Sequence, residues 1–154
     1  MSVVYELPVV KVKREAVLMV RALVKGGFYR LSEAEKRREI KYLSQSLSTL
    51  YGVKNPPILF GKQYSNSYSL VSREIRLTNE SIISFLHEYR HHLQKELNVK
   101  FKGLTIEQDA RAWSMRVFSQ AVPKMFLESV KKGKVLHVKY DRELDKVVDD
   151  CTYI

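Results

Sequence analysis

The stretch that decides the reading is residues 78–97, TNESIISFLHEYRHHLQKEL. Its apolar residues Ile82, Leu86, Tyr89, Leu93 and Leu97 are spaced four, three, four and four apart, the period of an amphipathic helix. Thr78-Asn79 provides a cap for its start. Within this predicted helix lies His87-Glu88-Tyr89-Arg90-His91, a His-Glu-x-x-His pattern. Residues i and i+4 stack on one helix face, so both imidazoles reach a single ion. At about 100° per residue, the histidines lie roughly 140° from the centre of the apolar stripe, facing a cleft and not the core. Glu88 follows the first histidine by one position. That turns it away from the metal and towards a metal-bound water, where it can act as general base.

Outward from this helix the chain reads as a mixture of helices and short strands. Upstream, residues 3–12 alternate weakly as a strand, and a helix from about Lys13 to Lys25 ends at Gly26-Gly27. Ser32 and Glu35 form a capping box for a helix striped by Ile40, Leu43, Leu47 and Leu50, with Gly52 just past its end. Ile58-Leu59-Phe60 is a short buried strand after Pro56-Pro57. Tyr68 to Leu77 keeps period two on both sides of Ser72-Arg73, as one bent strand or a tight hairpin. Downstream, Thr105 and Gln108 form a second capping box, opening a helix striped by Ile106, Ala110, Trp113 and Val117. Pro123 marks a break or the first turn of a further helix ended by Gly133, and Val135 to Tyr140 adds a strand. The class is α+β, in a single domain over 1–154 with an N-terminal strand and helix in 1–30 and an acidic tail in 141–154.

Two imidazoles do not complete a zinc site, which needs a third protein ligand and leaves the fourth position to water. The candidates are Glu107, Asp109, His92 and His137. His92 turns about 100° away from His91 and is a poor co-ligand, better read as a surface residue or a support for the ligands. His137 lies in a predicted strand with no ligand motif around it. Glu107 and Asp109 open the next helix, which a turn around Gly103 carries back across the first.

His87-Glu88-x-x-His91 followed by Glu107-Gln108-Asp109-Ala110 and Trp113 resembles the gluzincin class of zinc metallopeptidases, and within it the small ImmA/IrrE-like intracellular proteins. The likeness spans roughly residues 58–120. It implies a zincin-like fold, with helices packed on a small mixed sheet. It also implies that Glu107 is the third zinc ligand, that Asp109 is the second acid of the family pattern, and that Ala110 is the small residue allowing two helices to approach. The edge strand, read as Tyr68–Leu77, would bind extended substrate by strand addition. One position departs from the pattern: four residues after Glu107, where the family often carries an acid or amide supporting the first histidine, this chain has Arg111. The support for His87 then falls to another group, such as Asp109. The oxyanion donor, which larger gluzincins take from a second domain, has Tyr64, Tyr68 and His137 as candidates.

Composition sets the boundaries. The chain has 154 residues and a net charge of +10, with the surplus in residues 1–140 and an acidic tail after them. One cysteine, Cys151, excludes a disulfide framework and a Cys-cluster zinc site. No apolar run approaches the ~18 residues of a membrane span, and the first residues lack a secretory layout, so the expected location is cytoplasmic. The leading expectation is a zinc metallopeptidase acting on protein or peptide substrate. The alternative is a zincin-like regulatory module with little or no turnover, docking nucleic acid or an acidic partner through its basic surface. A purely structural zinc ranks last, because such sites are closed by four protein ligands.

Overall fold

A computed structural model describes residues 10–99 and 105–132. The expected strand at Val135–Tyr140, Gly133, His137, the acidic tail and residues 3–9 of the first expected strand lie outside the described residues. Residues 10–12 are not in a strand, and Val10 and Val12 pack against the core. The described residues form five α-helices, a short 3-10 helix at Phe28–Arg30 and three short strands. The α-helices and strands are α1 (Arg14–Lys25), α2 (Glu33–Tyr51), β1 (Ile58–Phe60), β2 (Ser67–Tyr68), β3 (Ile75–Leu77), α3 (Ile82–Leu97), α4 (Ile106–Ala121) and α5 (Pro123–Lys131). None of these helices is long and apolar enough to cross a membrane.

Local chemistry sets most boundaries. The Ser32–Glu35 capping box opens α2, and Gly52, at φ 68°, closes it in the left-handed region where a side chain is strained. The Thr105–Gln108 box opens α4, and Pro123 is the first residue of α5. The start of α3 differs from expectation. Its cap is Ser81, whose hydroxyl accepts from the Ser84 N–H, while Asn79 Oδ1 accepts from the Ser81 N–H one turn of chain earlier. Asn79 therefore shapes the approach to the helix rather than its first turn.

The strands form a mixed sheet in the order β1-β3-β2. β3 pairs with β1 in parallel, Ile58 opposite Ile75, and with β2 antiparallel, Tyr68 opposite Ile75. Tyr68–Leu77 is thus a hairpin in which only the two-residue β2 is an edge and β3 is the central strand. Ser72-Arg73 makes the turn, with Arg73 N–H bonded to Ser69 O at 2.8 Å.

One core joins these elements. Ile75 and Leu77 of the sheet, Ile40 and Leu47 of α2, Phe85, Leu86, Tyr89 and Leu93 of α3, and Trp113 of α4 are all fully buried. Helix α3 lies between the sheet and α4, and α4 is in turn covered by α1 and α5. Two residues counted on apolar stripes escape burial. Leu97 is the last residue of α3, and Ile106, at 52% exposure, is the first of α4, where it borders the cleft instead of the core.

Because α3 is covered on several sides, polar side chains on it are buried too, and Tyr89, Arg90 and His92 are each hydrogen-bonded. Tyr89 shares a hydrogen bond with Ser48 of α2 at 2.8 Å. Arg90 donates Nε to Asp109 Oδ2 at 2.8 Å and Nη2 to Oδ1 at 3.2 Å, and its guanidinium lies over the Trp113 ring. Both side chains of this pair are nearly inaccessible, at 9% and 4%. Removing one partner of a buried pair leaves the other charge uncompensated. Asp109→Ala should cost about 3–5 kcal/mol in urea unfolding. Glu96→Ala, which removes the partner of the half-exposed Arg73, should cost under about 1 kcal/mol.

Candidate metal centre

The helical period of α3 and the capping box of α4 bring three side chains together. His87 and His91 lie one turn apart on α3, and Glu107 is the second residue of α4. His87 Nε2 is 3.0 Å from Glu107 Oε2, and His91 Nε2 is 2.9 Å from Glu107 Oε1. The ligand atoms of the three groups all lie within 4.8 Å of one another. Ligands held at ~2.0–2.2 Å around a tetrahedral ion are roughly 3.3 Å apart. The set therefore has the spacing and the donor chemistry to hold a divalent metal ion.

The hydrogen bonds around His91 carry this further. Gln94, three residues on, donates its Nε2 to Ile106 O at 3.0 Å and to Asp109 Oδ2 at 2.8 Å, both pure acceptors. That fixes the carboxamide, so its Oε1 must accept from His91 Nδ1–H at 2.8 Å. The neutral His91 ring then presents a bare Nε2 lone pair to a carboxylate oxygen at 2.9 Å. Two acceptors face each other. A positive charge belongs among them, either a proton on the imidazole or a metal ion shared by all three groups.

Charge states in the site suit ligation. Burial, with smaller contributions from His91 and Arg111, holds the His87 proton affinity below the usual histidine value, outweighing the pull of Glu107. Burial alone would raise Glu107, yet the neighbouring His91 and His87 hold its carboxyl below the ordinary carboxylate range. A neutral imidazole and an ionised carboxylate are the forms that bind metal. Burial, reinforced by Glu107, pushes Glu88 up to about 7 despite the opposing effect of His91. Glu88 is 7% exposed and lines the same cleft as the triad without joining it.

That cleft has a volume of about 1070 Å³ and runs between the β2–β3 hairpin, α3 and the first turns of α4. Tyr68 lines it, but its hydroxyl is engaged. His92 donates Nε2–H to Lys54 O at 2.7 Å, so its Nδ1 accepts the Tyr68 O–H at 2.9 Å. In this arrangement Tyr68 offers the cleft lone pairs and not a proton. His92, read from sequence as a surface residue or a support for the ligands, is 1% exposed and ties β2 to the chain before β1. Asp109 is brought beside the site but supports His91 through Gln94, and makes no bond to His87. Tyr64 is not among the residues lining the cleft. The basic run Lys36-Arg37-Arg38 lies on α2, where Arg37 pairs with Glu33 at 2.9 Å and Glu80 at 3.4 Å.

Two contributors escaped the sequence reading. Gln94 follows His91 at i+3, a spacing that places it on the same face, and this was a signal available in the sequence. Arg90 occupies a variable position of the motif, and nothing local shows that it meets Asp109.

A carboxyl group with a raised folded-state pKa favours its protonated form on folding. It therefore removes stability as pH rises from its unfolded value near 4.5 through about 7. In chelator-treated protein, Glu88→Gln should stabilise the chain relative to the parent by about 2 kcal/mol more at pH 8 than at pH 5, read by urea unfolding. A difference independent of pH would contradict the burial argument.

Comparison of the chain with protein-family profiles, with curated proteins and with solved structures finds no match, so the functional reading stands on the geometry of this site.

Proposed function

We propose that the chain is a zinc-dependent metallopeptidase of the His₂Glu type with a zincin-like arrangement of its site. The observation that carries the reading is the convergence of His87, His91 and Glu107, with the His91 lone pair aimed at the carboxylate. Nitrogen and carboxylate donors in a three-ligand set match catalytic zinc better than structural zinc, which is closed by four protein ligands. When bound there, zinc would acidify a coordinated water and polarise a peptide carbonyl.

The protein's own residues supply the remaining steps. Glu88, buried beside the triad and with its pKa near neutral, takes a proton from water and returns it to the leaving amine. Its elevated proton affinity makes both transfers feasible near pH 7, where a carboxyl group at its ordinary value would be a weak acid. Gln94 and Asp109 hold the His91 ring in the tautomer that turns Nε2 to the site. The edge position of β2 and a cleft of about 1070 Å³ beside it suit an extended peptide chain.

Turnover of a fluorogenic peptide library by zinc-loaded protein tests the proposal. Glu88→Gln should lower the rate by about 10²–10⁴-fold while zinc per chain stays unchanged. His91→Ala should lose both zinc and cleavage. Undiminished cleavage by the Glu88→Gln protein would remove Glu88 from the mechanism.

A further inference from the structure

Of the two cations that line the cleft, Lys95 is exposed to solvent and Arg111 is partly buried, and neither the metal site nor the core accounts for Arg111. It follows Glu107 by one helical turn and lines the same cleft as His87, Glu88 and Glu107. Gln94, late in α3, meets the first turn of α4 at Ile106. The next turn of α4, which carries Arg111, therefore lies towards the start of α3, and the Arg111 charge is felt at His87. Arg111 Nε is buried and has no hydrogen-bond partner among the described residues. Its guanidinium also enters no ion pair among them, in contrast to Arg37, Arg73, Arg76 and Arg90.

Neither carboxylate lining the cleft pairs with Arg111. Glu107 faces the two imidazoles, and Glu88 is buried beside them. A partly buried guanidinium without a counter-charge is costly, and its planar fork of donors matches a carboxylate. The surroundings favour the same ligand. Ser81 and Asn79, at the N-terminal and therefore electropositive end of α3, line this end of the cleft, and Ile83 and Met115 give it apolar walls.

We propose that Arg111 is the specificity-determining cation of a carboxylate subsite, so that the chain takes peptides bearing a carboxylate next to an apolar residue. The inference rests on the metallopeptidase reading for the position of the reacting bond, but the binding itself does not require turnover. The carboxylate has two possible sources, the C-terminus of a peptide or an acidic side chain within one.

Equilibrium binding to the metal-free and zinc-loaded chain, read by calorimetry or NMR shifts, tests this with three probes. They are acetyl-Ala-Ala-Leu as the free acid, the same peptide as its amide, and acetyl-Ala-Asp-Leu amide. At least one carboxylate probe should bind roughly tenfold or more tightly than the neutral amide, with the preference weakening in high salt. Preference for the free acid assigns the subsite to chain termini, and preference for the Asp peptide assigns it to acidic side chains. Arg111→Gln and Arg111→Met should abolish the preference, and Arg111→Lys should keep part of it. Equal affinity for all three probes, including no binding of any, overturns the proposal even if a variant fails to fold. So does a preference that survives in either neutral variant. Because metal-free protein is included, absent peptidase activity leaves this subsite standing, and an absent acid preference leaves the metal centre standing.

Discussion

The position of α4 across α3 depends on a single buried carboxylate. Asp109 accepts two hydrogen bonds from Arg90 and one from Gln94, so three donors from α3 converge on the fourth residue of α4. Buried ionic groups of this kind contribute little net stability when compared with well-packed apolar residues, but an unpaired one is strongly disfavoured. The tie therefore acts chiefly on register. Sliding α4 along α3 would strand the Arg90 charge and the Asp109 charge together. Glu107 lies two residues before Asp109 on the same helix, so the constraint that seats Asp109 in the interface also sets where Glu107 meets His87 and His91.

The same interaction links fold to chemistry through Gln94. Its carboxamide bridges the buried carboxylate and the His91 ring, and it holds that ring with Nδ1 as donor and Nε2 free. A cation placed among His87, His91 and Glu107 resolves the confrontation of acceptors that this arrangement creates. Burial does the rest of the tuning. It keeps His87 neutral and raises Glu88, two groups one residue apart that the helix turns to different surroundings.

Much of this was legible in the sequence because the signals were local. Helical spacing alone placed the two histidines on one face, and the capping boxes at Ser32 and Thr105 marked helix starts that the structure reproduces. The α+β class and the mixed sheet also agree with the structure. What could not be read depends on contacts between distant segments. The bond from His92 to Lys54 O and Tyr68, the meeting of Arg90 with Asp109, and the exposure of Ile106 at the cleft edge leave no periodic trace. The start of α3 was misplaced because Thr78, Asn79 and Ser81 are all competent caps, and only the backbone path decides among them.

X-ray absorption at the zinc edge of the zinc-loaded protein measures the central claim most directly. The account predicts a first shell of two imidazole nitrogens and carboxylate or water oxygen, four ligands at ~2.0–2.2 Å, that loses one imidazole in His87→Ala. A shell without imidazole scattering, or one unchanged by that substitution, would contradict it.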